Sequence, residues 1–291
     1  MSARKSCSRS YGARECKGER IQLSGRLDWY GEQMRADANA RSASEGFLGP
    51  EGGIFAKAMA QIAECLDYAV TEHLIDDLRT KRKVALATHT FNLMWASWNE
   101  ALTGRYAIAV SHFRSIEEAP DFLMALDANP GLADAMGQSP VKIETAWRAL
   151  RKDLDRLEDG KGKQWFTWRQ ERGKGTQPLA HVSPEVINQS LAIRIEDNKK
   201  IGTLRLGGVV SRLNLRPLAM TIAGSAVTFL ATVVVAFHTT PSVYHLWTSR
   251  GLKFAEQSLA VLREELESMN APTGEVELIE FQPSRATLGD A

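Results

Sequence analysis

A long stretch without formal charge constrains the fold more than any other feature of the sequence. Between Arg216 and Arg250 there is no Lys, Arg, Asp or Glu, and residues 218–237 are apolar or weakly polar throughout. A stretch of this length can cross a bilayer, which needs roughly 20 residues, and Tyr244 and Trp247 lie where interfacial aromatic residues would. A helix of the same composition also forms the centre of an all-α bundle, where neighbours cover it. We favour the buried helix, because the other predicted helices are amphipathic and need an apolar partner.

The composition is that of a folded, non-fibrous protein. The chain of 291 residues has 36 Lys and Arg against 35 Asp and Glu, so no overall field attracts nucleic acid or an acidic partner. Hydrophobic residues make up 44% and charged residues 24%, which excludes a disordered chain, a collagen-like fibre and a polytopic membrane protein. Three cysteines are too few for a disulfide framework, which favours a reducing, cytoplasmic compartment. Cys65 falls on the apolar face of the first predicted helix and is expected in the core.

The two ends of the chain differ from its middle. Up to Arg26 there are seven basic and two acidic residues, without the apolar run of a secretory signal. Residues 1–50 are predicted to be a disordered basic tail, because they cannot bury enough apolar surface to offset the entropy of ordering. Such an arm also suits contact with RNA or an anionic membrane surface. Residues 271–291 are predicted to form a loose C-terminal tail.

Residues 51–270 are predicted to form one helical domain of about six helices. Apolar residues return here with a 3.6-residue period, which is typical of amphipathic helices on a common core. The third predicted helix starts at Tyr106 and is expected to kink or break at Pro120. Ser139-Pro140 is expected to start the fourth. Residues 191–208 alternate between apolar and polar side chains and predict a small β-hairpin inserted in the all-α fold.

The third predicted helix carries the side chains best suited to acid–base chemistry. Arg105 and His112 are seven residues apart, about two turns, which predicts one helix face for both. The histidine would act on RNA as general acid or base, and the arginine would stabilise charge on the phosphorane. Further along, Arg114 and Glu118 have the i, i+4 spacing of a helical ion pair.

The Arg-x6-His spacing of Arg105 and His112 resembles the signature of HEPN-domain ribonucleases, which are helical proteins of bacterial toxin and phage-defence systems. The resemblance implies a metal-independent ribonuclease in which both residues are catalytic. HEPN-like ribonucleases act as dimers with the active groove at the dimer face, so it also implies a homodimer.

A second resemblance covers roughly residues 85–260. The segment Phe113-Arg114-Ser115-Ile116-Glu117-Glu118-Ala119, followed later by His181-Val182-Ser183-Pro184, is similar to a pattern in bacterial helical families of unknown function. Those families carry a Leu-Arg-Ser-hydrophobic-x-Glu-Ala element on a core helix. The resemblance implies an all-α fold and an alternative catalytic cluster of Arg114, Glu118 and His181.

The same residues have structural interpretations. Arg114 and Glu118 would fix helix register as a buried pair, while His181 would cap or bridge a loop.

Between Lys161 and Lys174, basic residues interleave with aromatic ones. This pattern suits stacking on single-stranded nucleic acid, or burial of the rings by a short amphipathic helix, which we favour.

Common cofactor and catalytic motifs are missing from the sequence. It contains no GxxxxGK[ST] loop, GxGxxG turn, GxSxG elbow, HExxH or CxxC, so no cofactor and no metal are predicted. Three functional interpretations remain. The protein is a HEPN-like ribonuclease, a non-enzymatic helical binding or scaffold protein, or a protein anchored in a membrane by residues 218–237.

Overall fold

The computed structural model describes residues 24–72, 77–138, 140–157, 160–176, 191–196, 199–204, 210–269 and 278–279. Its elements in chain order are α1 (Ser24–Phe47), α2 (Pro50–Glu72), α3 (Leu78–Leu102), α4 (Tyr106–Ser111), α5 (Phe113–Ala128), α6 (Gly131–Gln138), α7 (Ile143–Leu157), α8 (Lys161–Thr176), β1 (Leu191–Glu196), β2 (Lys199–Leu204), β3 (Val210–Ser211), α9 (Arg212–Ala236), α10 (Pro241–Leu246), a π-helical turn (Trp247–Gly251), α11 (Leu252–Met269) and β4 (Leu278–Ile279). The described part is predominantly helical, and the predicted all-α class is confirmed.

The described part of the chain forms more helices than the six or so expected, because α1 lies in the predicted tail, several helices are short, and one predicted helix is divided. The division lies at His112, between α4 and α5, and α5 continues through Pro120. Of the kink or break expected at Pro120, the break is therefore wrong. On both sides of Pro120 the same face of α5 is buried, since Ile116, Ala119 and Leu123 are at most 2% exposed. Packing of this face keeps the helix continuous despite the missing proline N–H.

α7 begins later than the sequence predicts. Its first residue is Ile143, and Pro140 is not helical, while Ser139 lies outside the described residues. The first turn is closed by Thr145 N–H, which donates to the Lys142 carbonyl at 2.9 Å.

α9 lies at the centre of the larger core. Four helices, α2, α3, α5 and α11, pack against it, and Leu215, Ile222, Leu230 and Val233 have no exposed surface. Among the described residues, Asn214–Ala236 is the one helical segment long and apolar enough to cross a membrane, and 56% of its most apolar window is buried within the fold. More than half of this segment is therefore covered by protein.

Charged side chains from other helices bind both ends of α9. Lys83 of α3 is buried and donates from Nζ to the Ala236 carbonyl at 2.9 Å, as suits a cation at a helix C-terminus. Near the other end, Arg216 pairs with the fully buried Glu51 of α2 at 3.3 Å and with Glu265 of α11 at 2.6 Å. These pairs fix α2, α3 and α11 along the length of α9.

The prediction of a disordered tail over residues 1–50 is wrong from Ser24 onward, because α1 begins there. Residues 1–23 lie outside the described part of the chain. α1 has few apolar side chains, but specific contacts hold it in place. Ala40 is buried, and the buried Ser44 hydroxyl donates to the Leu102 carbonyl at the end of α3 at 2.7 Å. Because its contacts are mostly polar, a hydrophobicity argument does not detect this helix.

Short strands accompany the helices. In the region of the predicted hairpin, β1 and β2 pair antiparallel with Leu191 opposite Leu204 and Glu196 opposite Lys199. β4 lies in the segment expected to be a loose C-terminal tail, yet it pairs antiparallel with β3, with Val210 opposite Ile279. That expectation is therefore wrong at the two residues of β4.

A second, smaller core joins α5, α6, α7 and α8. Its buried members include Leu126, Leu132, Ile143 and Trp147. The rings of Trp147 and Phe166 meet edge to face, with centroids 6.3 Å apart. α8 is thus attached to the fold through its aromatic residues.

Burial of α9 can be tested with two truncations on the same helix. Phe229 is buried and Val235 is 49% exposed. We expect Phe229→Ala to lower the free energy of unfolding by about 3–5 kcal/mol, because it leaves a cavity in the core, and Val235→Ala to lower it by about 0.5 kcal/mol. Urea denaturation followed by circular dichroism measures both values, and equal small losses would contradict the packing of α9.

Candidate functional site

Arg105, a predicted catalytic residue, is held by two carboxylates. Gly104 has a φ of 74°, which favours glycine and lets the chain turn after α3. Arg105 then donates from Nη1 to both carboxylate oxygens of Asp37 at 2.9 Å and from Nε to Glu100. Burial lowers the pKa of Arg105, but the bonds to Glu100 and Asp37 outweigh it and hold this pKa above its ordinary value. The guanidinium thus joins α1 to α3.

Arg105 and His112 lie outside α4, one at each end of it. α4 contains only residues Tyr106–Ser111, so Arg105 precedes it and His112 follows it. The backbone of His112 joins α4 to α5, since its carbonyl accepts from Ile116 N–H at 3.0 Å. The single continuous helix assumed for the two residues is thus divided at His112, and their common face stays a prediction. Neither residue lines any of the three clefts described below.

The expected ion pair between Arg114 and Glu118 is present on α5. Nε of Arg114 donates to Glu118 Oε1 at 2.9 Å, and the side chains are 38% and 25% exposed. The pair is therefore not buried, and a pair of this kind contributes a few tenths of a kcal/mol. His181, the third member of the alternative catalytic cluster, lies outside the described residues.

A buried charged centre connects α5, α7 and α8. Arg169 donates from Nε to Asp121 at 2.7 Å and from Nη2 to the Glu117 carbonyl at 2.8 Å, and Trp147 Nε1 donates to Asp121 at 2.8 Å. Burial raises the pKa of Asp121, although the charge of Arg169 opposes this. The guanidinium also lies 5.9 Å from the centroid of the Trp147 ring. Arg169, Trp165 and Phe166 thus face the fold, as the burial interpretation of the aromatic and basic segment expects.

Two neighbouring clefts lie along α2. The first, of about 490 Å³, is bounded by α10 and includes Tyr68, Ser242 and His245. The second, of about 520 Å³, is bounded by α11 and includes Lys57, Gln61 and Lys253. They share three residues: Glu64, Ser249 and Arg250. Together they make a polar surface that no sequence motif indicates.

The π-helical turn positions two of the shared residues, Ser249 and Arg250. Such turns contain one extra residue per turn and are frequent at functional sites. A Cβ at Gly251 would lie 2.7 Å from Cε3 of the Trp247 ring, so only glycine fits there. The turn places Arg250 against Glu64 of α2, with which it forms an ion pair. α10 is a separate helix starting at Pro241, so His238 and His245 are not on one helix.

Positive charge predominates in the second cleft. Lys57, Arg250 and Lys253 line it together with one carboxylate, that of Glu64, which pairs with Arg250. Glu64 also accepts from the Tyr68 hydroxyl at 3.1 Å, which raises the pKa of Tyr68. The arrangement can bind an anion, because three cations face one carboxylate. Within the described part of the chain, no group of three His, Cys, Asp or Glu residues is placed to hold a metal ion.

Cys65 lies beside Glu64 but belongs to the core, as predicted. Burial, with a smaller contribution from Glu64, raises the pKa of its thiol to about 12. In a Cys7→Ser/Cys16→Ser variant we expect iodoacetamide at pH 8 to alkylate Cys65 about a thousandfold more slowly in the folded protein than in urea, because almost no thiolate is present. Mass spectrometry measures the two rates, and equal rates would show that the thiol is accessible.

Comparison with known proteins gives no relative for this chain. No protein-family model, no curated protein and no solved structure matches it.

Proposed function

We propose that the protein is a non-enzymatic helical binding protein that takes an anionic ligand in the two clefts beside α2. The observation that carries the proposal is the group of three cations, Lys57, Arg250 and Lys253, around the segment the clefts share. The clefts are open to solvent, and their only carboxylate, among the described residues, is Glu64.

Arg250 is the residue best placed to receive the ligand. Its side chain is 58% exposed, and its planar guanidinium can hold a carboxylate or phosphate through two hydrogen bonds. An incoming anion competes with Glu64 for Arg250, while Lys57 and Lys253 add attraction from the second cleft. The hydroxyls of Tyr68 and Ser249 donate within the fold, to Glu64 and to the Leu246 carbonyl, so the cations are the groups that attract the ligand.

The ribonuclease interpretation rests on Arg105 and His112 and has less support. A catalytic arginine needs to offer its charge to the phosphate, but Arg105 already donates to Asp37 and Glu100. We therefore propose that Arg105 joins helices and that the resemblance of its spacing from His112 to that of HEPN-domain ribonucleases does not extend to activity.

We also propose that the protein is soluble and cytoplasmic, with α9 as its core helix. The support is the packing of α2, α3, α5 and α11 around α9. Arg216, at the start of α9, pairs with Glu51 and Glu265 rather than facing a membrane surface.

Anion binding can be tested by removing charge from the clefts. The probes are citrate, inorganic phosphate and a hexaglutamate peptide, titrated calorimetrically into the full chain. We expect Arg250→Gln/Lys253→Gln to weaken binding at least tenfold, since each charge-assisted hydrogen bond contributes about 1.5–3 kcal/mol.

A matched control is offered by a third cleft, of about 530 Å³, in which Lys152 and Arg156 of α7 also present positive charge. We expect Lys152→Gln/Arg156→Gln to change binding less than twofold. Equal losses in the two double variants, or no binding of any probe by the unmodified protein, would refute the proposed site.

The enzymatic alternative has its own assay. We expect the purified protein to leave single-stranded RNA intact in the presence of EDTA, and to be recovered from cells without detergent. Metal-independent cleavage that is lost in His112→Ala would overturn the binding proposal in favour of a HEPN-like ribonuclease. Recovery only from the membrane fraction would instead make α9 an anchor.

A further inference from the structure

α11 carries a line of exposed leucines. Leu252, Leu259 and Leu266 are spaced seven residues apart and are 45%, 43% and 47% exposed. The neighbouring positions Ala255 and Leu262 are buried in the core. Single exposed leucines are common, but three on one line with a heptad spacing are typical of a helix that pairs with another helix.

α9 has a matching exposed line. Thr221, Thr228 and Val235, again seven residues apart, are its exposed positions between Arg216 and its end. The hydroxyl of Thr221 donates to the Pro217 carbonyl at 2.8 Å, and that of Thr228 to the Gly224 carbonyl at 2.9 Å. Because both hydroxyls are satisfied within the helix, these threonines can be buried against a partner without losing a hydrogen bond.

The two lines form one face. α9 and α11 run in opposite directions, since Arg216 contacts Glu265 and a Cβ on Gly224 would lie 3.9 Å from Leu262 Cδ1. This places Thr228 at the level of Leu259. The clefts beside α2 lie on the other side of α11, at Lys253 and Gln257. The apolar face is therefore separate from the proposed ligand site and does not depend on it.

The charges beside the leucines are complementary under a two-fold rotation. Glu256 and Arg263 each follow a leucine by four residues, and neither forms an ion pair within the described residues. They lie almost symmetrically about Leu259, on its N-terminal and C-terminal sides. An antiparallel pair of α11 helices centred on Leu259 brings Glu256 of each copy opposite Arg263 of the other, whereas a parallel pair brings like charges together.

We propose that this face binds a second copy of the chain, with the two α11 helices antiparallel about Leu259 and the two α9 helices antiparallel about Thr228. The interface is a four-helix arrangement with the leucines at its centre and two Glu256–Arg263 ion pairs at its edge. The alternative occupant, a lipid surface, would leave those charges beside hydrocarbon without partners.

The test is the oligomeric state of the full chain, measured by sedimentation equilibrium. We expect a dimer, and a rise of about a hundredfold in the dimer dissociation constant in Leu259→Lys, because both copies lose the central contact. Val70→Lys, which changes an exposed apolar residue on α2, is the control and should leave dimerisation unchanged. Circular dichroism shows whether each variant is folded.

Charge-reversal variants test whether the two α11 helices pair in the antiparallel arrangement. Glu256→Arg and Arg263→Glu should each weaken the dimer, and an equimolar mixture of the two should form a heterodimer, because every facing pair is then opposite in charge. A monomeric unmodified protein, a dimer insensitive to Leu259→Lys, or singly changed variants that do not associate on mixing would overturn the proposal. Binding of a monomer to phosphatidylcholine–phosphatidylglycerol vesicles would assign the face to lipid instead.

Discussion

The fold depends on covering a helix that carries no charged residue beyond Arg216. α9 is apolar on most of its circumference, so it is stable in water only if other helices remove that surface from solvent. α2, α3, α5 and α11 do this. The polar contacts of α9 are confined to its ends, where Arg216 and the Ala236 carbonyl meet side chains from other helices. Hydrophobic burial thus holds the bundle together, while the ion pairs determine where along α9 each neighbour sits.

The different roles of hydrophobic burial and of single polar contacts explain which parts of the fold could be predicted from the sequence. α9 could be predicted because a long run without charged residues fits few environments in a folded chain. α2 could be predicted because its apolar residues, Cys65 among them, recur on one helix face. α1 could not be predicted, because its attachment depends on single polar contacts of Ser44 and Asp37 with residues far along the chain. Such contacts leave no periodic signal.

The candidate site was less predictable than the fold, for two physical reasons. The pairing of Arg105 with His112 assumed a continuous helix, but Gly104 turns the chain before Arg105 and the helix between the two residues ends at Ser111. The clefts beside α2 combine residues such as Lys57 and Arg250 that only tertiary packing brings together.

The extra residue of the π-helical turn determines how α11 is rotated about its own axis relative to α10. Removing its extra residue would restore the usual hydrogen-bonding period, yet it would rotate α11 by about 100° relative to α10, since a helix has 3.6 residues per turn. Leu262 would then leave its place against Gly224, and the line through Leu259 would no longer adjoin the exposed line of α9. A single-residue deletion between Trp247 and Gly251 would therefore disturb both sides of α11 at once, while a substitution on either side affects only that side.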